Sequence, residues 1–444
     1  MLETAILLLS LSVSFVLLRL ASGSASIRYI NGINYVFYRQ IIIGALLGSY
    51  LISLSLEYDR WYALDWSGDV RFYGFLLVNY SMIMVLLVYL LLKLFFLQAG
   101  SNTLVLGVRP TRFNFNIIQN ILFIFSVYGF LYLFFYSPSW PLLDVIRGDY
   151  ERGLIGRIAF RNDFEGSSYI KNIVAFGSSS LYFYVSLAAF LISKTGLRHL
   201  ASSFLLVFLI YTFSSQKGAI LNVAIGALIV VCILRGKIPR GIFFLLAFLG
   251  CLSIYLLFSF VKGIPLVRLF ESQLIVGRLF LGNIEGFFNS LELFPHVITD
   301  DTQLVGIPSF IQEALFGAVQ KPSKLLLMEY FDYQGVLEGT SGFITAYYLA
   351  EAWANYGLFG LMLAPVVVAV NFFLVDWALM KFGKNPLTVS LYAVMYLQFQ
   401  LHGEFIGFLY FKYFAYVLVL CVPVLFIYYI FVLSSARRLY GGDG

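Results

Sequence analysis

The chain has 444 residues, 61% of them apolar, 18% aromatic and only 12% charged, with a mean hydropathy of +0.88. A soluble domain carries about 25% charged residues, so water does not solvate most of this sequence. The net charge of +6 and the sequence pI near 9.0 raise nucleic acid or anionic lipid as partners, but no aromatic-plus-basic RNA motif is present.

A span of roughly 20 apolar residues crosses a bilayer as a helix, and runs of that order recur through the chain. Eleven are expected: 2–18, 40–56, 73–99, 117–137, 173–193, 199–214, 219–234, 241–261, 357–379, 387–401 and 409–433. The first lacks a basic n-region and a clean cleavage site, so it reads as a retained helix and not a signal peptide. Cys232, Cys251 and Cys421 all fall inside apolar runs and imply no disulfide framework. The fold class is therefore all-α: one polytopic membrane bundle over residues 1–444.

The loops that these spans leave are unequal in charge. One set (19–39, 100–116, 194–198, 235–240, 380–386 and the tail from 434) holds fourteen basic residues and one acidic residue, Asp443. The other, with the N-terminus and adjoining helix ends, holds fourteen basic and twenty-one acidic residues. The positive-inside rule then puts the C-terminus in the cytoplasm and the N-terminus outside. The high pI is the cytoplasmic anchor of a membrane protein, not a nucleic-acid surface.

Two long segments fall on the outer side, 138–172 and 262–356, both dense in ionisable groups. They are longer than ordinary connectors and are expected to cover the active site. The stretches Ile311–Phe316 and Ser323–Phe331 are amphipathic and suit short helices lying on the membrane surface. Polar insertions also mark helix ends. Ser214-Ser215-Gln216-Lys217-Gly218 makes a tight link, His402-Gly403-Glu404 joins the last two spans, and Lys412 lies just inside the final one. An ionisable residue at such a place is costly unless it faces protein or a water-filled cavity. Glu404 and Lys412 are eight residues apart, just over two turns, and share a face if the last helix begins near 404.

Metal hydrolysis is not indicated. The three histidines, His199, His296 and His402, form no His-Glu-x-x-His run. Asp300-Asp301 alone could suggest a carboxylate-held Mg²⁺, but reads better as a loop turn. No Gly-x-Ser-x-Gly elbow and no nucleotide-phosphate loop occurs. What remains is a basic outer pocket drawn from Lys217, Arg278, Arg157 and Arg161, beside carboxylates. Arginine and lysine clamp phosphate oxygens. A diphosphate leaving group needs its charge held more than it needs a proton, and a carboxylate or imidazole can take the proton of an attacking sugar hydroxyl. The set fits metal-free, cofactor-free glycosyl transfer from a lipid diphosphate.

Four segments sharpen this into a resemblance. Ser215-Gln216-Lys217-Gly218-Ala219, Leu274–Leu281 around Arg278, Ser341–Glu351 with Asn355-Tyr356-Gly357-Leu358-Phe359-Gly360, and Gly403-Glu404 to Lys412 occur in an order and on a membrane side that resembles the Wzy family of O-antigen and oligosaccharide-repeat-unit polymerases. The resemblance covers most of the chain as an architecture and extends to the related O-antigen ligases. Lys217 stands where the family usually has arginine, which keeps the charge and loses the bidentate fork. No histidine stands near Thr345–Tyr347, where the ligases usually carry one, and this favours a polymerase.

The resemblance implies an undecaprenyl-diphosphate-linked oligosaccharide as donor and acceptor, action at the periplasmic face of a bacterial inner membrane, and a chain-length regulator protein as a further partner. It implies Arg278, Glu404 and Lys217 as catalytic residues, with Arg157, Arg161, Glu351, His402 and Lys412 binding substrate. The alternatives are a ligase-like transferase and a flippase for lipid-linked sugars. A transporter more often shows paired halves and mid-membrane charge.

Overall fold

A computed structural model describes residues 1–56, 64–97, 114–147, 149, 152–153, 155–156, 159–160, 164–214, 217–241, 244, 248, 277, 280–300, 302–303, 305, 307, 309–338, 341 and 343–440. It is 78% helical, with no strands among the described residues, an all-α polytopic membrane bundle. In chain order the helices are α1 (Leu2–Ser22), α2 (Gly32–Ser53), α3 (Gly68–Phe96), α4 (Phe115–Tyr136) and α5 (Pro141–Ile146). Then come α6 (Ile170–Ser193), α7 (Leu197–Ser214), α8 (Lys217–Arg235), α9 (Glu285–Leu293) and α10 (Ser309–Phe316). The last five are α11 (Ser323–Leu337), α12 (Tyr348–Phe382), α13 (Pro386–Gln398), α14 (Phe405–Leu409) and α15 (Lys412–Tyr440).

Seven of the described helices are long and apolar enough to cross a membrane: α1, α2, α3, α4, α6, α12 and residues Lys412–Ile430 of α15. Helices α7 and α8 are apolar but shorter. Ten of the eleven expected spans meet a helix in the structure; the eighth, 241–261, lies almost wholly outside the described residues.

Several boundaries move for local reasons. Helix α2 begins eight residues before the expected 40, because the Asn31 side chain accepts the Asn34 N–H at 2.9 Å and starts the helix there. Its middle, Val36–Leu46, is wound as a π-helix, a form concentrated at functional sites. Helix α12 begins at Tyr348 and not 357, and bends at Gly357, whose φ of 58° and ψ of −142° lie in territory that only glycine enters at low cost. The bend separates a short polar lead, Tyr348–Tyr356, from the long apolar stretch that follows. Near 409 the expected single helix is two, α14 and α15, broken at Tyr410 and Phe411, the latter with φ of 53°.

Packing divides the chain into two units. The first comprises 1–103, 237–377 and 399–412, and the second 104–236, 378–398 and 413–444. In the first, α1 and α2 both pack on α3, and several polar groups inside the bundle pair with one another. Ser10 bonds Asn79, Tyr89 bonds Asp376, and Lys93 Nζ donates to Ala21 O at 2.6 Å. An unpaired polar group in such surroundings costs several kcal/mol, so these bonds fix which helix faces meet. Within 262–356, α9 is buried along most of its length, and Trp66 Nε1 donates to Asn289 Oδ1 at 2.9 Å.

The surface position expected for Ser323–Phe331 is not what α11 adopts. Leu326, Leu327 and Met328 are buried against Leu293, Phe294, Ile298 and Ile344. Burying such side chains is worth about 1.5–3 kcal/mol each, and here protein covers them. In the second unit α6 packs on α4, α7, α8 and α13. Trp140 stacks on Phe213 at 4.6 Å, and Lys171 Nζ lies 4.3 Å from the Phe164 ring centre.

Candidate functional site

The six residues between α13 and α14, Phe399–Glu404, are the frame of the site. Their backbone is not helical, so its polar groups need partners from elsewhere. Gln40, in the π-wound part of α2, supplies two: its Nε2 donates to Phe399 O at 2.7 Å, and its Oε1 accepts the Leu401 N–H at 2.6 Å. The first residue of α12 supplies a third, Tyr348 N–H to Leu401 O at 2.6 Å. One side chain thus grips the segment on both sides of Gln400, and Phe399 and Leu401 are fully buried.

Glu404 ends this segment at the N-cap of α14. Its carboxylate bridges two lysines, with Lys324 Nζ at 2.5 Å from Oε1 and Lys412 Nζ at 3.0 Å from Oε2. Lys324 is the second residue of α11 and also lies 4.7 Å from the Phe343 ring centre. Lys412 is the first residue of α15. Both cations therefore stand at the positive ends of helix dipoles, where lysine is disfavoured unless an anion is present. Glu404 and Lys412 do meet as the spacing suggested, but across the bend between two helices and not along one.

Beneath Glu404, Glu351 on the lead of α12 is 5% exposed and accepts the Ile406 N–H at 3.0 Å. It ties the start of α14 to α12. Nearby, Thr302 bonds the Asn355 side chain, while Tyr356 and Tyr410 hydroxyls donate to Gln303 O at 3.3 and 3.5 Å. A cavity of about 200 Å³ opens here, lined by Lys324, Glu351, His402 and Glu404 together with Phe343, Thr345 and Gln400. Sites that swallow a drug-sized ligand hold about 300–1,000 Å³, so this one has room for a small group only.

The electrostatics separate the titratable groups. Burial pushes the Glu404 carboxyl up, but the Lys324 and Lys412 ammoniums outweigh it and hold the group at about 2. Burial pushes His402 down to about 4, against a smaller pull from the main chain of Gln40 and Asn283. His402 is thus a neutral imidazole at physiological pH. Neither ring nitrogen has a partner in hydrogen-bonding geometry, and the ring sits against Gly44 of α2 and 5.7 Å from Tyr347.

A Cβ at Gly44 would collide with His402 Nε2 and Cε1. Alanine in a helix interior normally gains about 0.5–1 kcal/mol over glycine, whereas overpacking costs about 1–3 kcal/mol. The clash wins, so Gly44→Ala is expected to lower the melting temperature of the detergent-purified protein by several degrees. An unchanged or raised melting temperature would show that the His402 ring has room to step aside.

Of the eight residues expected to act, Glu351, His402 and Glu404 line this cavity, and Lys412 joins them through its ion pair with Glu404. Arg278, Arg157 and Arg161 lie outside the described residues. Lys217 begins α8, but its side chain is also outside them. Lys324 was not anticipated. Its only sequence signal is a lysine in the first turn of an amphipathic helix just after Pro322. Among the described residues no group of three His, Cys, Asp or Glu side chains is placed to hold a metal ion. No family model, curated protein or solved structure matches the chain.

Proposed function

We propose that this chain is a membrane glycosyltransferase that polymerises undecaprenyl-diphosphate-linked oligosaccharide repeat units, in the manner of the Wzy-type polymerases it resembles, with its site on the periplasmic face of a bacterial inner membrane. The observation that carries the reading is the convergence of Lys324 and Lys412, each at a helix N-terminus, on Glu404 at the mouth of a cavity that also holds Glu351. Two ammoniums and two positive helix ends suit a diphosphate. The charge asymmetry of the loops supports the orientation, and Lys324, Glu404 and Lys412 all fall on the side assigned to the periplasm.

In this reading the lysines hold the diphosphate of the growing chain. The bond from the anomeric carbon to the diphosphate oxygen breaks, and its electron pair leaves with the diphosphate. The hydroxyl oxygen of the incoming repeat forms the new bond to that carbon, and its proton passes to a carboxylate. The small cavity fits this division, because it receives the diphosphate or one ring while the rest of both substrates stays outside. The Arg278, Arg157 and Arg161 guanidiniums and the Lys217 ammonium are proposed as further phosphate contacts, and a chain-length regulator as a partner.

The test is the surface-lipid profile of a strain lacking the gene. A polymerase leaves single repeat units capping the lipopolysaccharide core and no ladder of longer chains. A bare core with polymer stranded on the lipid carrier would indicate a ligase, and lipid-linked repeats trapped on the cytoplasmic side a flippase. Either result would overturn the proposal, as would an unchanged ladder.

A further inference from the structure

We infer that Glu404 is a displaceable occupant of a two-lysine phosphate site: a phosphoryl group takes Lys324 and Lys412 from it, and the carboxylate so released becomes the proton acceptor. This rests on the reading of the cavity as the seat of a lipid diphosphate. Three observations carry it.

The first is geometry. Each Glu404 oxygen engages one lysine, the arrangement in which two adjacent phosphate oxygens would be held. The carboxylate therefore occupies the place of an anion ligand. An ammonium has three donors, and the lysines remain reachable, with side-chain exposures of 25% for Lys324 and 64% for Lys412.

The second is charge. Two lysines and one carboxylate leave the trio with a net single positive charge, and the N-termini of α11 and α15 add to it. A diphosphate brings more negative charge than that. Were Glu404 to stay bridged, it would stand against the phosphate as a like charge. Exchange removes this repulsion and keeps both ammoniums neutralised.

The third is a pinned backbone beneath a carboxylate that is held by the two lysines. The backbone around Glu404 is pinned by Gln40 at Phe399 and Leu401, and by the Gly407 N–H on Glu404 O at 3.2 Å. No side-chain capping bond ties the carboxylate to α14. It can turn into the cavity without the loop moving. There the lysines no longer hold its proton affinity down, while burial still raises it. A carboxylate that is a poor base in the empty site becomes a competent one only when the phosphate is in place. The step then balances as follows. The acceptor oxygen bonds to the anomeric carbon, the carbon–diphosphate bond breaks toward the diphosphate, and the acceptor's proton goes to Glu404. Exchange of this kind would keep water from being activated in the empty site.

The experiment titrates inorganic pyrophosphate into the full-length protein in nanodiscs, followed by calorimetry. Removal of a carboxylate that merely shapes the site would weaken anion binding or leave it unchanged. Removal of a competing occupant strengthens it. Glu404→Gln is therefore expected to bind pyrophosphate at least 10-fold more tightly than the parent while losing sugar transfer. Glu404→Asp keeps the charge but is too short to reach both lysines, so its affinity should fall between the two and guards against a misfolded Gln variant. Lys324→Gln combined with Lys412→Gln should abolish the gain. Equal or weaker pyrophosphate binding in both Glu404 variants would overturn the exchange.

Nanodiscs of phosphatidylcholine and of phosphatidylglycerol separate the sources of phosphate. A gain seen in the former and erased in the latter would mean that lipid headgroups fill the site, which would overturn the role assigned to a substrate diphosphate. Tight pyrophosphate binding by Glu404→Gln, with no turnover of lipid-linked sugars by the parent, would preserve the phosphate site and sink the transferase reading instead.

Discussion

Lys324→Gln is expected to reduce sugar transfer about 10²–10³-fold while the protein inserts and melts nearly as before. The two halves of this expectation have different origins. In the resting protein Lys324 faces Glu404 at a half-buried site, with both side chains about one quarter exposed. Pairs of that kind contribute about 0–1 kcal/mol, and Glu404 keeps Lys412 as a second partner. Stability therefore changes little. During transfer, the same ammonium lies against a diphosphate whose charge grows as the bond to the sugar breaks. Loss of a charged partner to a desolvated oxyanion can cost about 3–4 kcal/mol. Lys324→Arg should retain part of the activity, because the charge survives although its geometry differs. Wild-type transfer by purified Lys324→Gln would remove this lysine from the clamp and leave it as a tether for Glu404. The assay is polymer formed per unit time from lipid-linked repeats, with melting temperature measured on the same preparation.

Much of the bundle was legible because a bilayer imposes a length on apolar runs. Helices α1, α3 and α4 are continuous in hydrophobic residues, and their placement needed no tertiary information. The parts that escaped are those where polar residues are buried inside protein. Helix α9 reads as loop, since Glu285, Asn289, Ser290 and Glu292 interrupt it. Only the fold reveals that Trp66 satisfies Asn289 in the interior. The lead of α12 reads as the end of a loop for the same reason: Glu351 and Asn355 are polar, yet both are buried.

The site divides along similar lines. Glu404, Lys412 and His402 stand out in sequence because they break the apolar run at the end of the chain. Lys324 does not, because it lies among many charged residues in 262–356, and nothing local says that α11 will bring it to a residue 80 positions away. Its placement in the first turn of a helix, against the dipole, was the one local oddity. The role of Gln40 was equally hidden. A glutamine in a transmembrane run signals some internal partner, but the partner is backbone at Phe399 and Leu401, which carries no sequence mark at all.

Glu351 is the residue on which the assignment of the proton acceptor turns, and it is expected to respond very differently to two substitutions. Its carboxylate accepts the Ile406 N–H at 3.0 Å and is 5% exposed, so it both fills space and satisfies a backbone donor at the start of α14. Glutamine keeps the size and an acceptor oxygen. Glu351→Gln should therefore preserve the α12–α14 connection, the placement of Glu404, and transfer to within about 10-fold, a cost on the scale of one hydrogen bond's net worth, about 0.5–1.5 kcal/mol. Alanine removes both functions. It leaves a buried N–H unpaired, at about 1–3 kcal/mol, and opens a void under the residue that N-caps α14. Displacement of a reacting group by as little as 1 Å can cost about 10²-fold in rate, so Glu351→Ala should lose at least that much transfer along with stability. Lower kcat in the alanine variant, with near-normal kcat in the glutamine variant, marks Glu351 as a positioning residue and leaves Glu404 as the base. If Glu351→Gln instead melts like the parent yet forms no polymer, the ionisable proton itself is required. The role of base would then pass from Glu404 to Glu351, with Glu404 serving only to hold the two lysines in register.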